Sequence, residues 1–132
     1  MKTFPPLEVP VEVAAAMSGD MVFVPSPATV SRAHTSSAWT RTVIISLKDA
    51  VGDIQTWFNK AIASGVAVSD DSSAGTATIP STTLTFVNGV ATVVISGDAQ
   101  AWLAGEHDTL TIAAAVIMGY TVPQVTSVET FT

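Results

Sequence analysis

Residues 83–87 and 90–95 alternate β-branched or apolar side chains with polar ones and flank Asn88-Gly89, and no other feature of the chain constrains its fold as much. A two-residue loop between strands needs a left-handed backbone at both positions, which Asn and Gly adopt at least cost. The turn predicts a hairpin in which Val87 faces Val90, Phe86 faces Ala91, Thr85 faces Thr92 and Leu84 faces Val93. Side chains alternate along a strand, so this register puts Leu84, Phe86, Ala91, Val93 and Ile95 on one face, expected to be core. Thr83, Thr85, Val87, Val90, Thr92 and Val94 fall on the other. That second face is poor in charge, as suits a surface partly covered in an assembly.

The same pattern recurs along the chain. Val, Thr and Ile make up 44 of the 132 residues, and these side chains fit a pleated, half-buried surface better than a helix. Residues 29–32 read as a weak strand. Residues 40–47 read as a strong one, with Val43, Ile45 and Leu47 inward and Thr42, Ile44 and Ser46 outward. Residues 109–113 and 125–132 are further strands, and residues 98–105 read as one helical turn between Asp98 and Gly105. Residues 53–65 are ambivalent, because Ile54, Trp57, Phe58, Ala61 and Ile62 share a helical stripe. A strand is preferred there, since a sandwich places its central Trp-bearing strand at such a position. Short strands every ten or so residues, separated by turns, predict an all-β sandwich over residues 28–132.

Five of the seven prolines lie in residues 1–27. Proline lacks a backbone donor and is excluded from central strands, so this segment is expected to be an extended arm. Within it, Glu8-Val9-Pro10-Val11-Glu12-Val13 alternates like a strip lying on an edge, and residues 21–24 have the pattern of a short strand. The opening residues, with Pro5, Pro6 and Glu8, do not read as a secretion signal, so the expectation is synthesis in the cytoplasm. Residues 113–119 are far too few to cross a bilayer, which needs about 20 apolar residues.

Composition narrows the function classes. The net charge of −6, with five Lys+Arg, offers no electrostatic footprint for nucleic acid or an anionic membrane. The chain has no cysteine, which excludes thiol chemistry. At 48% hydrophobic and 12% charged, some apolar surface is expected to be covered by neighbours. His34 sits in a Ser/Thr-rich stretch and His107 between Glu106 and Asp108. With no nucleophile motif beside them, both read as solvated loop residues, and Glu106-His107-Asp108 reads as a turn instead of a metal site. Asp70-Asp71-Ser72-Ser73 lacks the alternating acids of a calcium loop and reads as a hairpin tip. No catalytic residue, cofactor or metal is expected. Trp57, Phe58 and Trp102 are read as core rings before carbohydrate-stacking ones. Trp39 divides evenly between core and interface. The expected partner contacts are therefore Phe4, Pro5, Pro6, Leu7, Val9 and Val11 of the arm, with Trp39.

The run Thr42-Val43-Ile44-Ile45-Ser46-Leu47-Lys48-Asp49-Ala50-Val51-Gly52-Asp53, followed by Gly75-Thr76-Ala77-Thr78-Ile79, Phe86-Val87-Asn88-Gly89-Val90-Ala91-Thr92-Val93 and Thr109-Leu110-Thr111-Ile112, resembles the bacterial immunoglobulin-like (invasin/intimin-type) repeat. The likeness covers about residues 28–132 and rests mostly on turn chemistry, which specifies fold better than function. It implies an immunoglobulin-like β-sandwich carrying an extended Pro-rich amino-terminal arm. Domains of this kind serve as adhesin repeats and as decorations on tailed bacteriophages. The single copy without export signal or anchor favours the phage version, so the resemblance implies a virion protein. Its expected role is a capsid decoration or cementing subunit docking on the major capsid protein and on copies of itself. A tail component or a host-surface carbohydrate- or receptor-binding module is the alternative.

Overall fold

The computed structural model describes residues 21–132. They form twelve strands: β1 (Val22–Ser26), β2 (Thr29–Arg32), β3 (Trp39–Lys48), β4 (Lys60–Ile62), β5 (Val66–Asp70), β6 (Ala77–Thr78), β7 (Leu84–Phe86), β8 (Val90–Gly97), β9 (His107–Ile112), β10 (Ala115–Ile117), β11 (Tyr120–Val122) and β12 (Val125–Phe131). One four-stranded sheet has the order β1-β3-β8-β6, and a second, packed on it, has the order β2-β12-β9-β5. The protein is an all-β sandwich. Two small ladders, β4-β7 and β10-β11, complete it. Every ladder is antiparallel except β12 with β2, which is parallel.

The period-two pattern decides which side chains fill the space between the sheets. Val43, Ile45 and Leu47 of β3 are fully buried, and Ala91, Val93 and Ile95 of β8 lie beside them. Leu110 and Ile112 of β9 close the core from the other sheet. Each such aliphatic contributes about 1.5–3 kcal/mol by leaving water. The short strand expected at residues 21–24 is present as β1, with Met21 and Phe23 in the core. Pro25 is compatible with it because β1 is an edge strand among the described residues. The chain then crosses to the second sheet at the cis Ser26-Pro27 peptide, where Ser127 Oγ donates to the Pro27 carbonyl at 2.6 Å.

Three expectations are corrected. The Asn88-Gly89 turn forms, with both residues at positive φ and with Val87 and Val90 exchanging backbone hydrogen bonds, but the hairpin ladder ends there. Leu84–Phe86 pairs with β4 while β8 pairs with β3 and β6. The alternation assigned the faces correctly, yet it did not specify partners, because β3 offers β8 a longer apolar ladder. Residues 53–65 are neither a helix nor one strand: Ile54 bridges Lys48, Thr56 and Trp57 turn, and only Lys60–Ile62 is extended. Gln55 is the cause, since its backbone N–H donates to the Leu47 carbonyl and its buried carbonyl accepts from Phe58. Residues 98–105 make no helical turn. Trp102 is fully buried and its backbone exchanges hydrogen bonds with Thr35, which holds the segment extended, and Asp98 accepts from the Thr76 N–H instead of capping a helix.

An aromatic cluster closes the end of the sandwich where β3 begins. Trp39 packs edge-on against Trp102 at 5.2 Å between centroids, and Phe131 stacks on Trp102 at 5.1 Å. Gly97, directly opposite Trp39 across the ladder, and Gly75 leave the space these indoles occupy.

Candidate functional site

At the other end of the sandwich, three connections meet. The first is the β3-β4 loop. Asp49 Oδ1 accepts from the backbone N–H groups of Val51 (3.1 Å) and Asp53 (2.9 Å), which closes a tight turn through Gly52 at φ +91°. Gln55, fully buried, donates from Nε2 to the Asp53 carbonyl at 2.8 Å and accepts from Trp57 Nε1 at 3.0 Å. The second is the Asn88-Gly89 turn: Gly89 N–H donates to the Phe58 carbonyl, and Asn88 N–H to Asn59 Oδ1, at 2.9 and 2.8 Å. A Cβ on Gly89 would lie 2.5 Å from the Gln55 carbonyl oxygen, so the two loops are in backbone contact. The third is the β10-β11 hairpin, turning through Met118 and Gly119 at φ +53° and +82°.

These connections present apolar side chains to solvent. Val51 is 81% exposed, Val87 61%, Val116 67% and Met118 49%, with Ile54 and Tyr120 exposed beside them. A groove of about 250 Å³ runs between the loop and the hairpin, lined by Trp57, Phe58, Asn59, Lys60, Val116, Ile117 and Met118. Hydrogen-bonded loops carrying exposed aliphatic and aromatic groups are equipped for protein contact, because little ordering remains to be lost on association. Met118 is an unfavourable residue for its backbone, since a left-handed conformation costs a side chain with Cβ about 1–2 kcal/mol. Met118→Gly is therefore expected to raise the unfolding free energy by roughly 1 kcal/mol in urea denaturation while removing an exposed apolar contact.

A second cluster of functional groups lies inside the sandwich. Arg41 reaches across from β3, donating from Nε to Asp108 Oδ1 at 2.7 Å, from Nη1 to Ser127 Oγ at 2.9 Å and from Nη2 to the Ser127 carbonyl at 3.0 Å. Arg32 donates from Nε to Glu129 Oε2 at 3.0 Å and lies over the Trp39 ring. Asp108 and Glu129 are directly opposed across β9 and β12, and Asp108 Oδ2 and Glu129 Oε1 are both buried without another partner. A proton on Glu129, donated to Asp108, satisfies both. Burial pushes the Glu129 carboxyl up to about 7, the hydrogen bond and charge of Asp108 push the same way, and Arg32 opposes them. With Arg41, Asp108 and Glu129 all buried, the cluster is closed to a substrate and ties the sheets together.

The residues singled out from sequence are placed as follows. Phe4, Pro5, Pro6, Leu7, Val9 and Val11 lie outside the described residues. Trp39 is core, 6% exposed, the other of its two expected fates. His34 is exposed, with Nδ1 2.9 Å from the Thr132 carbonyl, and His107 Nδ1 is 2.8 Å from Asp71 Oδ2. That contact and the His107 N–H hold the Asp71 carboxyl below its usual range. Glu106, His107 and Asp108 diverge: Glu106 accepts from the Leu103 and Ser73 N–H groups, which lowers its pKa, while Asp108 points inward. Among the described residues, no group of three or more His, Asp or Glu side chains is placed to hold a metal. Asp70 is not simply a solvated tip, since it accepts from the Ser72 and Ala77 N–H groups. Phe58 and Trp102 are core, and Trp57 is half-buried at the groove. Sequence reasoning passed over Val116, Met118 and Tyr120. The signal was the pair Met118-Gly119 between strands, which Met obscures because it is not a turn former. No protein-family model matches the chain, and no curated protein matches it either.

Proposed function

We propose that the chain is a non-enzymatic structural protein of a bacteriophage particle, a capsid decoration or cementing subunit that docks on the major capsid protein. Supporting the finer fold reading, the order β1-β3-β8-β6 facing β2-β12-β9-β5, with the first strand divided between sheets, matches an immunoglobulin-like sandwich. In such sandwiches, binding loops gather at one end. The observation that carries the proposal is the gathering of Val51, Ile54, Val87, Val116, Met118 and Tyr120 on the hydrogen-bonded loops of a single end. Exposed apolar clusters of this kind are the usual substance of a protein interface.

The test is co-sedimentation of the purified chain with expanded capsids of the phage that encodes it. Wild-type chain is expected to pellet with capsids, and Val116→Asp combined with Met118→Asp to weaken binding at least tenfold, since truncating a central contact costs about 1–2 kcal/mol or more. Equal binding by the charged variant, at unchanged stability, would remove the loop end from the interface. Trp57, half-buried beside the groove, favours a second reading as a carbohydrate-binding module. A glycan array that lights up with wild type and goes dark with Trp57→Ala, while capsids are ignored, would favour that reading.

A further inference from the structure

We propose that the outer face of the sheet β1-β3-β8-β6 binds the same face of a second copy of the chain, across a two-fold axis lying in the interface at right angles to the strands. This surface is separate from the loop end, and the proposal does not depend on the virion reading. Alternation turns every second residue of the sheet outward. The aliphatic ones are Val22 and Val24 on β1, Ile44 on β3, and Val90 and Val94 on β8. The register sets Ile44 at their centre: Val24 and Val90 flank Ser46, and Val94 faces Thr42, so each is one diagonal step from Ile44. Val22, Ile44 and Val94 are exposed. Every other outward position in these strands is Ser or Thr, except Lys48 at the end of β3. The outer face of the second sheet is different in kind, since Val128 is its single aliphatic residue larger than alanine.

The chemistry of the face selects a second copy as its occupant. A hydroxyl both donates and accepts, so a surface of alkyl groups and hydroxyls is complementary to itself, as a two-fold contact requires. The chain carries a net charge of −6, so two copies repel unless they meet where carboxylates are absent, and this face has none. The charges at its two ends are opposite in sign. Lys48 closes β3, while Asp98 follows Gly97, the partner of Trp39 at the start of β3. Asp98 is exposed, and Lys48 has no carboxylate within salt-bridge distance among the described residues. A two-fold axis across the strands lays β3 on β3 in opposite directions, which brings Lys48 of each copy toward Asp98 of the other.

The size of the face sets the strength. β1, β3, β8 and β6 have 5, 10, 8 and 2 residues. At about 3.3 Å along a strand and about 4.8 Å between strands, they cover about 400 Å². Two copies packed as aligned sheets therefore cover about 800 Å² before side-chain relief is counted, the small end of specific interfaces. A weak, reversible dimer follows.

Sedimentation equilibrium of the full-length chain, from micromolar to millimolar concentration, is expected to show one copy converting reversibly to two. Ile44→Asp puts a charge at the centre of the contact and is expected to weaken association at least tenfold. Val94→Lys, also at an exposed position, is expected to do the same and serves if the first variant does not fold. Thr126→Asp, outward on the second sheet, and the loop-end pair Val116→Asp with Met118→Asp are expected to leave the dimer unchanged. Lys48→Asp is expected to weaken it several-fold, and adding Asp98→Lys to restore it. A chain that stays single throughout overturns the proposal, as does association that survives both central charges or is lost with the loop-end pair. Failure of the exchanged charges to restore association overturns the antiparallel arrangement. Capsid co-sedimentation is measured separately, so either reading can fail without the other.

Discussion

Replacing Arg41 with leucine is expected to lower the free energy of unfolding by about 3–5 kcal/mol at pH 8, the range for removing one partner of a buried ion pair. Arg41 joins the sheets through Asp108 and through both the hydroxyl and carbonyl of Ser127. Leucine would leave these acceptors buried and unmatched. The loss is expected to be smaller at pH 5, and the reason is Glu129. Its carboxyl is raised from 4.5 to about 7, so the folded protein binds this proton more tightly than the unfolded chain does. The resulting stabilisation is fully present below about pH 4.5 and is lost as pH rises through about 7. Wild-type stability should therefore decline across that window, and Glu129→Gln should flatten the decline. The lowered carboxyls of Asp71 and Glu106 act in the opposite sense and below this window, as they take up protons. Urea denaturation from pH 4.5 to 8 measures all of this. An Arg41→Leu protein as stable as wild type at pH 8 would show that the cross-sheet pair is not what holds β12 in register.

The other large effect belongs to the aromatic cluster. Trp102→Ala is expected to cost about 3–5 kcal/mol, as for other buried aromatic truncations. A fully buried indole is removed from between Trp39 and Phe131, and its Nε1–H bond to the Asp98 carbonyl at 3.1 Å is lost with it. Gly97→Ala tests the same cluster by adding atoms. The new Cβ would lie 2.1 Å from the Trp39 indole, which cannot retreat because Trp102 and Phe131 are packed behind it. A cost of about 3 kcal/mol is expected, at the upper end of typical overpacking. Near-UV circular dichroism should report the altered Trp39-Trp102 pair alongside the shifted denaturation midpoint. Retention of both the spectrum and the midpoint in Gly97→Ala would mean that Trp39 does not lie over Gly97.

Legibility in the sequence depended on how local each signal is. The faces of β3 and β8 were readable because alternation is a property of the strand itself. The Asn88-Gly89 turn was readable because its backbone conformation is set by the two residues in it. The path of residues 53–65 was not, because it is set by Gln55, whose hydrogen bonds to Leu47 and Asp53 exist only once β3 has presented its end. The same holds for Trp102, which looked like part of a helical turn and is held extended by Thr35, far away in sequence. Trp39 could not be assigned between core and surface without knowing that Gly97 stands opposite it.

What the sequence alone determined is therefore the class of the fold, the inward and outward sides of its long strands and the position of its tightest turn, because steric preference and side-chain alternation act within a few residues. Tertiary structure decided which strands pair, that four charged side chains converge between the sheets, and that the exposed apolar residues of three separate connections collect at one end. Those outcomes depend on contacts between residues up to about a hundred positions apart, such as Arg32 with Glu129, and no local pattern encodes them.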